Sequence, residues 1–432
     1  MKHLIASFII LLTAGATSAQ TKWSLDSCIN YAISHSITVK NAEVQKDLAE
    51  LSVTEAKDGF LPTVSANASQ SFNFGRGLTN ENTYENRNTS SFSWGANLNL
   101  PLFQGLTNVR QLKYAKINLR SQVLALESAK GNVTLNVISQ YLQALYYKEL
   151  VKTALEQVEL SKFEVSRQEA LVNSGKVAEI DLIQARSQLA QDELSVITNE
   201  NEATLALLDL AQLLQLPGIE NFDIMPLDES SPIIPSAEDV YAYAQSNNYG
   251  VLAAKNSVAA ADAQVDVAKT GYIPKLSFSL GVGSSYVNMS GLENKNFSQQ
   301  MRDNYSTMIG FSLQIPIFDA FSTRNSVRRA KVQALNARLQ LQDAEIQLQK
   351  EIQQAYYRAV AARKKYDTGL TTEEASRLAF EAMKEKYELG RSTPTEFEQA
   401  KTTYLKSTVE RLQSHYEYIL RCRILDFYYH TR

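Results

Sequence analysis

The sequence predicts a mainly helical protein with a β portion, built from one helix–strand–strand–long helix–turn–helix plan used twice. Three observations predict it. Two stretches, Leu106 to Val172 and Asp319 to Leu389, keep a seven-residue apolar beat far beyond the length of a globular helix. Each follows two segments in which apolar residues alternate with small polar ones. Junctions marked by proline and glycine recur in the same order in both halves.

Met1 to Ala19 reads as a secretory leader: Lys2 and His3, the apolar run Leu4 to Leu12, then Thr17-Ser18-Ala19. No later run approaches the ~18 apolar residues of a membrane helix, and no cysteine follows the expected cleavage point to carry a lipid. The first repeat is expected over 20–216. It opens with a helix from Trp23 to Asp58, N-capped by Ser24 with Asp26 in its first turn, which stops at Gly59-Phe60-Leu61-Pro62.

Two strands follow, about 62–74 and 89–100. Val64, Ala66, Ala68, Phe72 and Phe74 alternate with serines and asparagines, as do Phe92, Trp94, Ala96, Leu98 and Leu100 after the polar loop Gly75 to Asn88. Pro101 is expected to close the second strand. The long helix from Leu106 holds one glycine, Gly131, and no proline, so it would run about 100 Å. Its beat passes through Leu112, Leu119, Leu126 and Val133. After a four-residue stutter it resumes at Val137, Ala144, Val151, Val158, Val165 and Val172. A turn at Asn173-Ser174-Gly175-Lys176-Val177 leads to a return helix from Ala178 to about Leu216.

The segment 217–236 carries four of the nine prolines and reads as a linker. The second repeat, 237–432, has a helix from Ala237 to Thr270, then Gly271-Tyr272-Ile273-Pro274. Strands follow at about 275–286 and 305–315, closed by Ile315-Pro316-Ile317-Phe318 as Leu100-Pro101-Leu102-Phe103 closes the first pair. Glu388-Leu389-Gly390-Arg391-Ser392 is its turn, and a last helix runs from Pro394 to Tyr429.

The formal net charge of −3, one unit more negative without Lys2, gives no electrostatic case for nucleic acid. Four histidines fall at no metal-ligand spacing, and no cofactor motif is present: Ser174-Gly175-Lys176 lacks the rest of a phosphate loop, and Gly281-Val282-Gly283 lies inside a strand. No enzyme signature survives. Cys28 and Cys422 fall at different expected heights along the helices, which favours two free buried thiols over a disulfide.

The strand faces are small and uncharged where a soluble sheet would carry Lys, Glu or Arg. This favours membrane β-strands over a half-buried hairpin, with Phe72, Phe92, Trp94, Phe278 and Phe311 toward lipid. Four such strands cannot close by themselves, so copies of the chain must complete a barrel. Two copies give eight strands and a filled interior; three give twelve and room for water, which the inward Ser, Asn and Gly suit.

The doubled plan, the Gly59-Phe60-Leu61-Pro62 and Leu100-Pro101-Leu102-Phe103 junctions, and the turns closing on Gly175 and Gly390 resemble the TolC family of outer-membrane efflux proteins. The resemblance covers the whole mature chain. It implies a homotrimer whose 12-stranded β-barrel in outer-membrane lipid is continuous with a long periplasmic α-helical barrel. It implies an exit duct, served by a periplasmic adaptor (a membrane fusion protein) and an inner-membrane transporter of RND or ABC type.

By position, the resemblance also implies a gate from Asp181, as acceptor for the Tyr387 phenol, and Glu396 in an acidic ring. Gly175, Lys176, Val177 and Gly390, Arg391, Ser392 would be the adaptor-docking tips. Gln399 stands at the second acidic position of that ring, and Ser392 where some members carry arginine, so the ring is thinner here. An acid in a first helical turn also serves the helix dipole, and for Asp181 and Glu396 that reading stands beside the gate. Two alternatives remain open at this level: a secreted trimeric coiled-coil scaffold or adhesin, and, within the channels, a type I protein-secretion or metal-efflux component. Six methionines and four histidines offer little lining for copper or silver.

Overall fold

A computed structural model describes residues 21–78, 83–86, 88–220, 222–227 and 233–429. The expected leader, 1–19, lies outside them. The elements in order are β1 (Thr21–Trp23), α1 (Leu25–His35), α2 (Ile37–Asp58), β2 (Thr63–Asn73), β3 (Arg76–Leu78), β4 (Tyr84–Asn86), β5 (Thr89–Phe103), α3 (Thr107–Asn173) and α4 (Glu179–Leu213). The second half has β6 (Phe222–Ile224), α5 (Ala237–Asn247), α6 (Tyr249–Lys269), β7 (Lys275–Met289), α7 (Phe297–Asp303), β8 (Ser306–Gln314), α8 (Ser322–Glu388) and α9 (Pro394–Tyr429). The two long helices have the same length, 67 residues each.

The chain forms two compact units. One holds Ala42–Leu126 and Tyr249–Ile346. Its sheet has the order β2-β5-β7-β8, antiparallel throughout. Cross-strand hydroxyls pair at Ser69–Ser93 (2.9 Å) and Ser71–Ser91 (2.7 Å), and the Phe278 and Phe311 rings meet at 5.3 Å. The helices of this unit follow the order of the strands. Val53 and Ala56 of α2 pack on Ala115 of α3. Ser121 of α3 meets Ser257 of α6 at 2.9 Å, and Val265 of α6 packs on Ala330 and Ala334 of α8. Small residues let these backbones come close, so the layer reads α2-α3-α6-α8 above the strand order.

The other unit holds the residues up to Asn41, Glu127–Asn248 and those from Gln347 on. Its helical seam is anchored by fully buried Tyr141, whose hydroxyl reaches the carbonyls of Trp23 (3.0 Å) and Met225 (2.7 Å). It thereby ties down the parallel pair β1–β6.

Several boundaries differ from the expected ones. The helices expected over Trp23–Asp58 and Ala237–Thr270 are each broken after eleven residues. At Ser36 (φ −55°, ψ 127°) and Asn248 (φ −66°, ψ 122°) the backbone leaves the helix while the N–H still bonds Ala32 O and Ala244 O. Short polar side chains offer the backbone local alternatives to the helix, and neither break needs a proline. Strand β5 runs on through Pro101 to Phe103 by a register shift between those residues, which removes the need for a proline N–H in the ladder. Helix α4 stops at Leu213, not Leu216, because Gln215 turns left-handed (φ 60°) and Leu216 N–H closes on Ala211 O. Helix α8 starts at Ser322, where Asp319 caps Thr323 N–H at 2.7 Å. Hairpin β3–β4 and strand β6 lie in segments read as loop and linker.

Candidate functional site

The α3–α4 and α8–α9 turns are built alike. Gly175 and Gly390 both stand at φ +70°, a conformation glycine alone adopts without strain. In each, the next residue's N–H closes on the carbonyl five back (Lys176 to Leu171, Arg391 to Lys386), and the glycine's own N–H closes three back (on Val172 and Tyr387). These are paired Schellman ends, and they leave Gly175, Lys176, Gly390 and Arg391 exposed, with Val177 and Ser392 half-buried.

Just inside the second turn sits Tyr387, 5% exposed. Its phenol donates to the Glu164 carboxylate on α3, and Gln168 Nε2 donates to both. Arg167 lies over the ring at 3.9 Å and donates to the Tyr387 carbonyl, while Phe397 of α9 stacks on the ring's plane at 4.7 Å. Burial first, then the bond to Glu164, pushes the Tyr387 hydroxyl well above the ordinary phenol range. The acceptor implied by the resemblance was Asp181. In the structure that place belongs to Glu164, because the α3 carboxylate faces α8 from within the packed seam. Asp181 is half-buried on a 220 Å³ cleft shared with Glu164, Gln168, Gln188, Phe397 and Glu398.

A second knot lies deeper. Lys401 of α9 is 1% exposed, and its Nζ donates to Ser161 Oγ of α3 at 2.6 Å, with Asp192 Oδ2 of α4 and Glu398 Oε2 each at 3.4 Å. Asp192 also accepts from Ser161, Gln188 (3.0 Å) and Gln157 (3.3 Å). Three helices are thus joined through one buried ion pair, while burial holds Glu398 above the usual carboxylate range. Sequence reasoning missed this knot, although a signal existed. Lys401 follows Phe397 by four and precedes Tyr404 by three, Asp192 stands three after Leu189, and Ser161 three after Val158. Each is a polar residue on the apolar beat.

Glu396 is exposed, and its carboxylate turns back on its own helix. It accepts from Thr393 N–H (2.9 Å) and Thr393 Oγ1 (3.0 Å), while Glu396 N–H donates to Thr393 Oγ1 (3.3 Å). This is a capping box, and the Thr393 N–H bond holds Glu396 below its ordinary range. Gln399 is exposed beside it. In the sheet unit, Phe72 (62% exposed), Phe311 (70%) and Trp94 (37%) are open, whereas Phe92 is half-covered by Phe297 of α7 and Phe278 by Phe311. Cys28 and Cys422 are free and buried, their thiols pushed up to about 12 and about 11 by burial. Among the described residues no cluster of His, Cys, Asp and Glu is arranged to hold a metal ion.

The sequence matches the profile described as outer membrane efflux protein over residues 28–215 and 240–421. Protein CyaE of Bordetella pertussis is 24% identical over 354 residues, covering 80% of this chain and 71% of CyaE. Outer membrane protein TolC of Escherichia coli is 20% identical over 433 residues, covering 97% of this chain and 85% of TolC. Among solved structures, the CmeC outer membrane channel of Campylobacter jejuni aligns with a TM-score of 0.78 at 19% identity, over 93% of this chain and 84% of CmeC. That last likeness is one of fold.

Proposed function

The chain belongs to the outer membrane efflux protein family, which places it in the outer membrane as an efflux channel component, and from that premise we propose that three copies assemble into a single duct. Each copy contributes four strands to a twelve-stranded barrel in lipid, and the long helices continue the bore as a periplasmic tunnel. The two repeats, 20–216 and 237–432, supply a strand pair each, joined by the linker 217–236.

One observation carries the reading. Strands β2, β5, β7 and β8 form an antiparallel sheet open at both edges, and Lys275, at the end of β7, is the only charged residue in the four. A soluble scaffold would protect such edges with charge or cover. In lipid, every backbone group needs a partner, and copies joined edge to edge supply them. Phe72, Trp94 and Phe311 are then apolar contacts with the membrane.

The helical turns are the periplasmic end. Gly175, Lys176, Val177 and Gly390, Arg391, Ser392 offer two matching tips, open at Gly175, Lys176, Gly390 and Arg391, for a periplasmic adaptor, which couples the duct to an inner-membrane transporter of RND or ABC type. The gate is the ring of tethers behind those tips. Tyr387–Glu164 fastens α8 to α3, Lys401–Asp192 fastens α9 to α3 and α4, and Asp181 and Glu396 flank them. Opening requires the tethers to part, so the closed state is held by directional polar bonds inside an apolar seam. The test is electrical and hydrodynamic together. Purified protein should have the mass of three chains and migrate differently on gels before and after heating. In planar bilayers it should conduct weakly, and more strongly when the tethers are cut. A monomeric, non-conducting protein would end the reading.

A further inference from the structure

Strand β7 outruns one of its neighbours. It pairs with β8 only as far as Gly283 opposite Ser306, while on its other side it stays paired with β5 up to Met289 opposite Thr89. Beyond Gly283 one edge of β7 is therefore left without a strand, and side chains from the segment around α7 take the place of one. Gln300 accepts from Val287 N–H and donates to Val287 O, at 3.0 Å each. Asn294 does the same for Met289 (3.1 and 2.8 Å), and Asn304 donates to Ser285 O at 2.7 Å. Alternate residues of a strand turn their backbone groups to the same edge, so three amides stand in for the missing ladder at 285, 287 and 289.

Helix α7 itself lies over one face of the sheet. The Phe297 ring meets Phe92 at 5.7 Å and Tyr286 at 5.1 Å, and the buried Ser284 donates its hydroxyl to the Met301 carbonyl at 2.7 Å. Phe92, Ser284 and Tyr286 belong to the face that continues through Trp94, Val282 and Phe278 toward the helices. Height decides what surrounds the covered part. Tyr286 lies eleven residues along β7 from Lys275, about 37 Å at ~3.4 Å each. With the ~40° tilt of barrel strands that is about 29 Å of height, just past an apolar band about 25 Å tall. At this level the segment leaves Phe297 (49% exposed) and Leu292 (41%) open, together with exposed Lys295 and Arg302.

We propose that the β7–β8 connection is an interfacial anchor: Leu292 and Phe297 insert into the outer leaflet, and Lys295 and Arg302 reach its headgroup phosphates. The occupant is a lipid surface, and the inference rests on the barrel reading above. Two features favour lipid over water. Water would solvate a bare strand edge, whereas at the membrane margin the edge must be given partners, and Gln300, Asn294 and Asn304 give them. A serine on a lipid face is costly, and Ser284 is buried and bonded beneath α7. A ring half-open at headgroup height is where membrane girdles place aromatics, and the basic side chains can extend from there to phosphate; Lys295 keeps Asp303 as a neighbour at 2.8 Å. Three copies set three such anchors around the rim, which fixes how deep the barrel rides.

Fluorescence quenching of the full-length protein in phosphatidylcholine vesicles tests it. The chain has two tryptophans, Trp23 and Trp94. Trp23→Phe leaves Trp94 as the reporter of the sheet face. Trp23→Phe with Trp94→Phe and Phe297→Trp makes α7 the reporter. Leu292→Trp in the same background is a second reporter, at an exposed position outside α7, and keeps the test open if Phe297→Trp does not fold. The Phe297→Trp and Leu292→Trp proteins should lose emission when the vesicles carry lipids brominated high on the acyl chain, and should resist acrylamide in the aqueous phase. Adding Lys295→Gln and Arg302→Gln should raise quenching by acrylamide; no change would overturn the headgroup contacts. Bromine quenching of Trp94 but of neither segment reporter overturns the anchor and leaves the barrel standing. Bromine quenching of none of the three overturns both.

Discussion

The Tyr387 phenol donates to the Glu164 carboxylate across 223 positions of sequence, inside a seam where both residues are buried. One bond thus connects the last turn of α8 to the C-terminal part of α3, close to the turns where both helices reverse. Glu164 has Gln168 as a further donor and Arg167 at 4.0 Å. Tyr387→Phe should therefore cost about 1 kcal/mol, the low end for a buried acceptor that keeps other partners. In planar bilayers the variant should conduct more than the parent protein. Unchanged conductance would leave the bond a purely structural tie.

Lys401 behaves differently, because its removal strands a charge. Lys401→Met leaves Asp192 buried, with only neutral donors from Ser161, Gln157 and Gln188. Breaking such a pair from one side costs about 3–5 kcal/mol, while replacing both partners is far milder. The single variant should show a lowered melting temperature and faster proteolysis near Gly390. Adding Asp192→Leu should recover most of the loss.

Glu398 supplies a pH dependence of the opposite sense to a stabilising carboxylate. Its folded-state proton affinity is raised by burial against the attraction of Lys401. The stability it contributes is complete below its ordinary value of 4.5 and is lost as pH rises through the raised folded value. Glu398→Gln should thus melt about 1 °C higher than the parent protein at pH 7, and the difference should close on acidification below 4.5.

Glu396 has the complementary sign. Held below its ordinary value by Thr393, it contributes stability that is present above that value and is lost as pH falls through the depressed one. Glu396→Gln should speed hydrogen exchange of the first-turn amides of α9 at neutral pH. Parent and variant should converge in acid. Insensitivity of exchange to the substitution would remove the capping role.

In the sheet, Gly283 faces Gly95, and a Cβ at Gly283 would lie 2.7 Å from the Trp94 carbonyl oxygen. That neighbour is backbone and cannot swing aside. Gly283→Ala should push β5 from β7, cost about 1–3 kcal/mol, and lower the temperature at which the heat-modifiable gel form is lost.

The elements themselves were legible in the residues. Proline and glycine act through their own backbone geometry, so Pro62, Pro274, Gly175 and Gly390 marked strand entries and turns wherever the chain folds. The seven-residue beat and the two-residue alternation likewise declare a buried face without naming what covers it, and both long helices and all four main strands were found that way. What pairs with what was not legible. Nothing local to Tyr387 says whether its acceptor is Asp181 or Glu164, since that depends on how two helices rotate against each other once packed. The breaks at Ser36 and Asn248, the bond from Thr393 that Glu396 accepts, and the burial of Lys401 are of the same kind. Period and punctuation are properties of a segment. The choice of partner belongs to the seam between segments, where desolvation decides which polar group must find another, and only the folded chain makes that choice.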